Sequence, residues 1–262
     1  MKKYLRTAPL PGVLALAALL ATGCKKDAED NGQPVVGTVS LEFNNVAGTR
    51  PLALDGTAYT TPSGESFSVR TLEYYISNVV LTRNDGVTYA PAGVYHLVDA
   101  SRSSTRSFSI PNVPVGDYSG VRFTIGVDST TTKADPLSLV GDLNPANNMY
   151  WAWASGHIFL KLEGTVASAN NKALTAHIGG YRTPYNAIVT AAPALPSGTL
   201  LPVRTSSTPK IVYSADVLKV FDGVTHLPLS TFPTAMQPSA ASVQVAQNYS
   251  AGMFSVQQVQ AN

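Results

Sequence analysis

From residue 35 onward, apolar and polar residues alternate in short runs, and this period of two constrains the fold more than any other feature. In "GTVSLEFNNV", Val39, Leu41 and Phe43 alternate with Ser40 and Glu42, the pattern of a strand with one buried face. The same alternation predicts strands in "SFSVRTLEYYISNVVLT", "GVYHLVD", "RSFSI", "GDYSGVRFTIGVD", "MYWAWASGHIFLKLEG", "KALTAHIGG", "KIVYSADVLKV", "ASVQVAQ" and "MFSVQQV". Turn signals such as "RNDG", "PAG", "NVPVGD", "SAN" and "FDG" separate them. Most prolines fall outside the alternating runs, as a ladder of backbone hydrogen bonds requires. Many short strands joined by turns predict an all-β fold, an antiparallel β-sandwich of immunoglobulin-like or jelly-roll-like form. Residues 129–148 and 181–208 read as long irregular loops, with helix expected only near "ADPLSLVGDL" or "PTAMQPSAAS".

The first 23 residues read as a lipoprotein signal peptide. Lys2, Lys3 and Arg6 precede the apolar run "PLPGVLALAALLATG", which ends at Cys24, the single cysteine of the chain. The "LLATG" before it resembles a bacterial lipobox, so Cys24 is expected to carry lipid and to hold the chain on a membrane without spanning it. Residues 24–34, with "KKDAEDNGQP", read as a flexible tether, leaving 35–262 as one sandwich domain without disulfides. The expected location is the outer membrane or cell envelope, facing the periplasm or exposed at the surface. The signal holds three of the 18 basic residues and none of the 16 acidic ones, so the remainder carries a net −1. With no basic stripe left, nucleic acid is not expected as a partner.

Enzyme templates are absent: there is no G-x-S-x-G, H-E-x-x-H, phosphate-binding glycine loop or C-x-x-C. The chain is not expected to be an enzyme. Its four histidines are His96, His157, His177 and His226, and the "GG" after His177 allows close approach of a ligand or another backbone. The only two tryptophans sit in "MYWAWASGH". As one extended strand, this run puts Met149, Trp151, Trp153, Ser155 and His157 on a single face, either as a metal or redox site or as a bulky core layer.

The blocks "LEYYISNVVLT", "IPNVPVGDYSGVRFTIGVDS", "GDLNPANNMYWAWASGHIFLKLEG", "AHIGG" and "NYSAGMFSV" together resemble the MbnP-like family of exported bacterial copper-binding proteins. The W-x-W with "FLKLEG" is the most specific of them. The resemblance implies a β-sandwich, a copper site that uses histidine, and a di-haem partner related to cytochrome c peroxidases. That partner is implied to oxidise a tryptophan, Trp151 or Trp153, to kynurenine. It also implies histidine ligands at positions where this chain has amides: Asn44 and Asn45 follow Phe43 of the first strand, and Gln257, Gln258 and Gln260 stand near the end. His177 is retained, leaving Met149 and His157, or His96, to complete a site. Amides are weak ligands for copper. Two functions are therefore expected as alternatives, a lipid-anchored copper-binding protein or a display module of the same fold that has lost its metal.

Overall fold

The computed structural model describes residues 34–261 except 154–155 and 233, so the expected signal, Cys24 and most of the tether lie outside the described residues. Its strands are β1 (Val36–Ala47), β2 (Arg50–Pro51), β3 (Ala58–Thr60), β4 (Ser66–Arg83), β5 (Thr88–Tyr89), β6 (Tyr95–Asp99), β7 (Ser107–Pro114) and β8 (Gly116–Ile125). There follow β9 (Tyr150–Trp151), β10 (Gly156–Val166), β11 (Lys172–Gly179), β12 (Val189–Ala191), β13 (Leu201–Val203), β14 (Lys210–Asp216) and β15 (Phe254–Gln260). Three short helices interrupt them, α1 (Ser129–Thr132), α2 (Leu218–Phe221) and α3 (Ala240–Gly252).

The strands make two sheets, as the alternation predicts. The first has the order β15-β14-β1-β2 with β7 also on β1; the second has β11-β10-β4-β8-β12, with shorter strands flanking β4, β8 and β10. Phe43 from β1 fills the space between them. Its ring centroid lies 5.1 Å from Tyr213, 5.7 Å from Phe123, 5.9 Å from Phe254 and 6.3 Å from Tyr74. Burial of each such ring stabilises the sandwich by about 1.5–3 kcal/mol. One pairing departs from the antiparallel rule, since β1 runs parallel to β14 from Ser40↔Lys210 to Val46↔Asp216.

Two sequence expectations are corrected. "ASVQVAQ" forms no strand and lies in α3. The Ser239 hydroxyl accepts from the Ser242 N–H and caps the helix, and Ser242, Val245, Ala246, Asn248 and Tyr249 are buried at helical spacing. The run from Met149 to Leu162 is also not one strand. β9 folds back on the start of β10, pairing Trp151 with Gly156 and Tyr150 with His157, while the Ile158 N–H donates to the Met149 carbonyl. Gly179 carries no side chain, which leaves room for the hairpin to close over the second sheet. The "ADPLSLVGDL" stretch gives short 3₁₀ turns at Pro136–Ser138 and Gly141–Leu143, and helix enters "PTAMQPSAAS" only at Ala240.

Candidate functional site

The hairpin separates the residues that a single strand would have aligned. Met149 is fully buried, Trp151 is 5% exposed and Trp153, on the turn, is 66% exposed. The Trp151 ring occupies the space where a Gly179 side chain would stand: an alanine Cβ there would lie 2.9 Å from Cζ3. Since His177 precedes Gly179 by two residues on β11, Trp151 and His177 share the outer face of the second sheet. The two indole centroids are 5.7 Å apart with planes tilted by 40°. The Trp151 Nε1–H is buried and has no acceptor among the described residues.

His177 lies opposite Lys161 on β10, and its Nε2–H donates to Glu163 Oε1 at 2.8 Å. Glu163 Oε2 also accepts from Arg70 and from the Thr71 hydroxyl, each at 3.2 Å. Burial raises the Glu163 pKa, but the bonds from His177, Arg70 and Thr71 outweigh it, so the carboxyl stays below its usual range. Lys161 in turn pairs with Glu73 at 3.3 Å. The outer face thus carries a closed set of charges, and Glu163 and Arg70, which the sequence did not nominate, belong to it. Alternation placed Glu163 two positions from Lys161 on the same face, which was the available signal.

The other histidines are engaged elsewhere. His157 Nε2–H donates to the Leu143 carbonyl at 3.2 Å, and Nδ1 accepts from the Thr132 hydroxyl at 3.1 Å. Burial lowers its pKa, which fits a neutral ring pinning the long 129–148 connection, with Tyr75 and Tyr150 edge-on at 5.6 and 5.0 Å. His96 contacts the Thr105 carbonyl at 2.7 Å and Asp142 at 3.2 Å. His226 lies 3.4 Å from Asp222. Asn45 faces the core between the sheets, where its Oδ1 accepts from the Tyr74 hydroxyl at 2.9 Å. Gln258 and Gln260 lie on β15 in the other sheet, joined by a 3.2 Å side-chain bond, and Gln257 accepts from Asn44 at 3.4 Å. The structure therefore places Trp151 and His177 on one face with Trp153 beside Trp151, buries Met149, and engages the side chains of His157, Asn45, Gln258 and Gln260 with other partners.

A family model for MbnP matches residues 36–237. The chain belongs to the MbnP family. Among solved structures, MbnP from Methylosinus trichosporium is similar, with 12% identity, a TM-score of 0.50, and coverage of 87% of this chain and 99% of that one. At that identity the likeness supports the sandwich fold alone. A comparison with curated proteins gave no match.

The copper implied by the family resemblance can be tested against the side chains present. Among the described residues no group of three or more His, Cys, Asp or Glu stands close enough to hold a metal ion. His177 and Glu163 supply two donors, and the Arg70 guanidinium bonded to the same carboxylate opposes a cation there. Both His157 nitrogens are used, and Asn45 turns into the core. In this MbnP-family chain the described side chains do not fit a copper ion.

Proposed function

We propose that this protein is a lipid-anchored envelope member of the MbnP family whose working element is the Trp151–Trp153 pair, presented for oxidation by a protein of the di-haem cytochrome c peroxidase type. The chain is then a substrate and binding module, not an enzyme. One observation carries this proposal: an indole 66% exposed on a turn lies against a buried one, with ring centroids 5.7 Å apart. An exposed tryptophan in a soluble domain loses apolar burial unless something meets it. Anchoring rests on the cysteine after the lipobox-like "LLATG", and Cys24→Ala should move the protein from the membrane to the soluble fraction. Unchanged membrane association would remove the anchor from the proposal.

In its unmodified state the domain is proposed to be metal-free, which the donor set around His177 favours. The test is a Cu(I) competition titration under anaerobic conditions, using recombinant chain, chain isolated from its native host, and His177→Ala. The recombinant chain should show no stoichiometric binding. Tight binding that disappears in His177→Ala would instead restore a copper site. Mass spectrometry of the chain before and after exposure to the peroxidase-type partner should locate an oxidised tryptophan at 151 or 153, and an unaltered pair would refute the function proposed.

A further inference from the structure

We infer that the two indoles have different roles, Trp153 being where a one-electron oxidation comes to rest and Trp151 the buried neighbour that hands the hole on. This rests on the reading of the pair as an oxidation target, and it assigns the order of events within the pair. Removing one electron from an indole leaves a radical cation whose ring N–H is far more acidic than that of the neutral ring. At Trp151 that cation would sit at 5% exposure, where an unsolvated charge is strongly disfavoured. Its Nε1–H also has no acceptor among the described residues to take the proton.

Trp153 differs on both counts. With 66% of its surface exposed, its ring can have its charge solvated and its proton taken by water. Ring centroids 5.7 Å apart place the two π-systems close enough for direct electron exchange. A hole formed first at Trp151 is filled by an electron from Trp153, which restores Trp151 and leaves the radical cation at Trp153. That cation releases its N–H proton to water and becomes a neutral indolyl radical. The external oxidant, a one-electron acceptor such as a high-potential haem, is reduced by one electron, and water gains one proton.

The order can be tested without the partner. The full chain, Trp153→Phe and Trp151→Phe would each be oxidised by photogenerated tris(bipyridine)ruthenium(III), with freeze-quench electron paramagnetic resonance and transient absorption as readouts. The neutral tryptophanyl radical should form in the unsubstituted chain and in Trp151→Phe, and be lost in Trp153→Phe. A radical that survives in Trp153→Phe, disappears from a folded Trp151→Phe, or resides on a tyrosine would overturn the inference. Because Trp151→Phe removes a packed ring, a nitroxide spin trap is added to the unsubstituted chain and its adduct located by fragment sequencing. An adduct on Trp153 is expected, and one on Trp151 would overturn the assignment independently. A peroxidase-type partner that fails to react would sink the proposed function while leaving this outcome intact.

Discussion

A methyl group added at Gly179 should unseat Trp151. The new Cβ would stand 2.6 Å from the His157 carbonyl oxygen and 2.9 Å from Trp151 Cζ3, whereas ordinary contact begins at 3.4 Å. The carbonyl belongs to the β10 backbone, paired across to β11 beside this position, so it cannot retreat freely. The indole has to move outward by about half an ångström or more. Overpacking of this kind costs about 1–3 kcal/mol. For a domain of this size the melting temperature should fall by roughly 2–4 °C per kcal/mol, or about 2–12 °C in all. Differential scanning calorimetry of Gly179→Ala beside Gly120→Ala gives the comparison, because nothing lies within 4 Å of a Cβ at Gly120. Alanine there should be neutral, or stabilising by up to roughly 1 kcal/mol. With only two tryptophans in the chain, indole emission reports the turn directly and should change in Gly179→Ala alone. Equal melting temperatures and unchanged emission in the two variants would refute the seating of Trp151 over Gly179.

Burial holds the His157 pKa below its ordinary 6.5, so the unfolded chain binds the extra proton more readily than the folded one. Its contribution to stability is full above about pH 6.5 and declines as the pH falls below it; His157→Gln, which keeps an amide donor, should flatten that part of a melting-temperature profile, and an unchanged slope would remove His157 as its source. Asn248→Ala should lower stability by about 2–3 kcal/mol in denaturant titration, since it orphans backbone groups of α2 and of the loop that follows it. The Asn248 amide donates to the Val220 and Thr225 carbonyls at 3.2 and 2.8 Å and accepts from the Thr225 N–H at 2.8 Å. A change under about 0.5 kcal/mol would mean that water replaces those bonds.

Much of the sandwich was legible because part of each long strand alternates, with Val39, Leu41 and Phe43 of β1, Phe67 and Val69 of β4, Val121 and Phe123 of β8 and Leu174, Ala176 and Ile178 of β11 facing inward, and period two leaves little freedom once one face is buried. α3 was hidden for a physical reason: its buried stripe includes Ser242 and Asn248, so helical periodicity is masked while "SVQV" mimics a strand. The tryptophan hairpin was not legible, because its closure depends on Gly179, distant in sequence, for the space that Trp151 fills. The partners Thr132 and the Leu143 carbonyl were equally invisible, and Glu163 was marked only by its face, since each meets its histidine only through the tertiary fold. The family resemblance nominated the tryptophans and His177, and it could not reveal that Asn45 faces the core or that Asn45, Gln258 and Gln260 all belong to the sheet opposite that of His177.

The parallel seam between β1 and β14 bears on how such a chain is made. A strand at residues 36–47 has its β7 edge available once residue 114 has been synthesised, yet its other long edge stays bare until residues 210–216 arrive. Joining them closes a loop of more than half the chain, which favours slow, late assembly. Until then the nascent protein is an unfinished sheet with an open strand edge, in need of shielding from its own kind. Completion of the C-terminal strands is thus the event that commits the molecule to its shape.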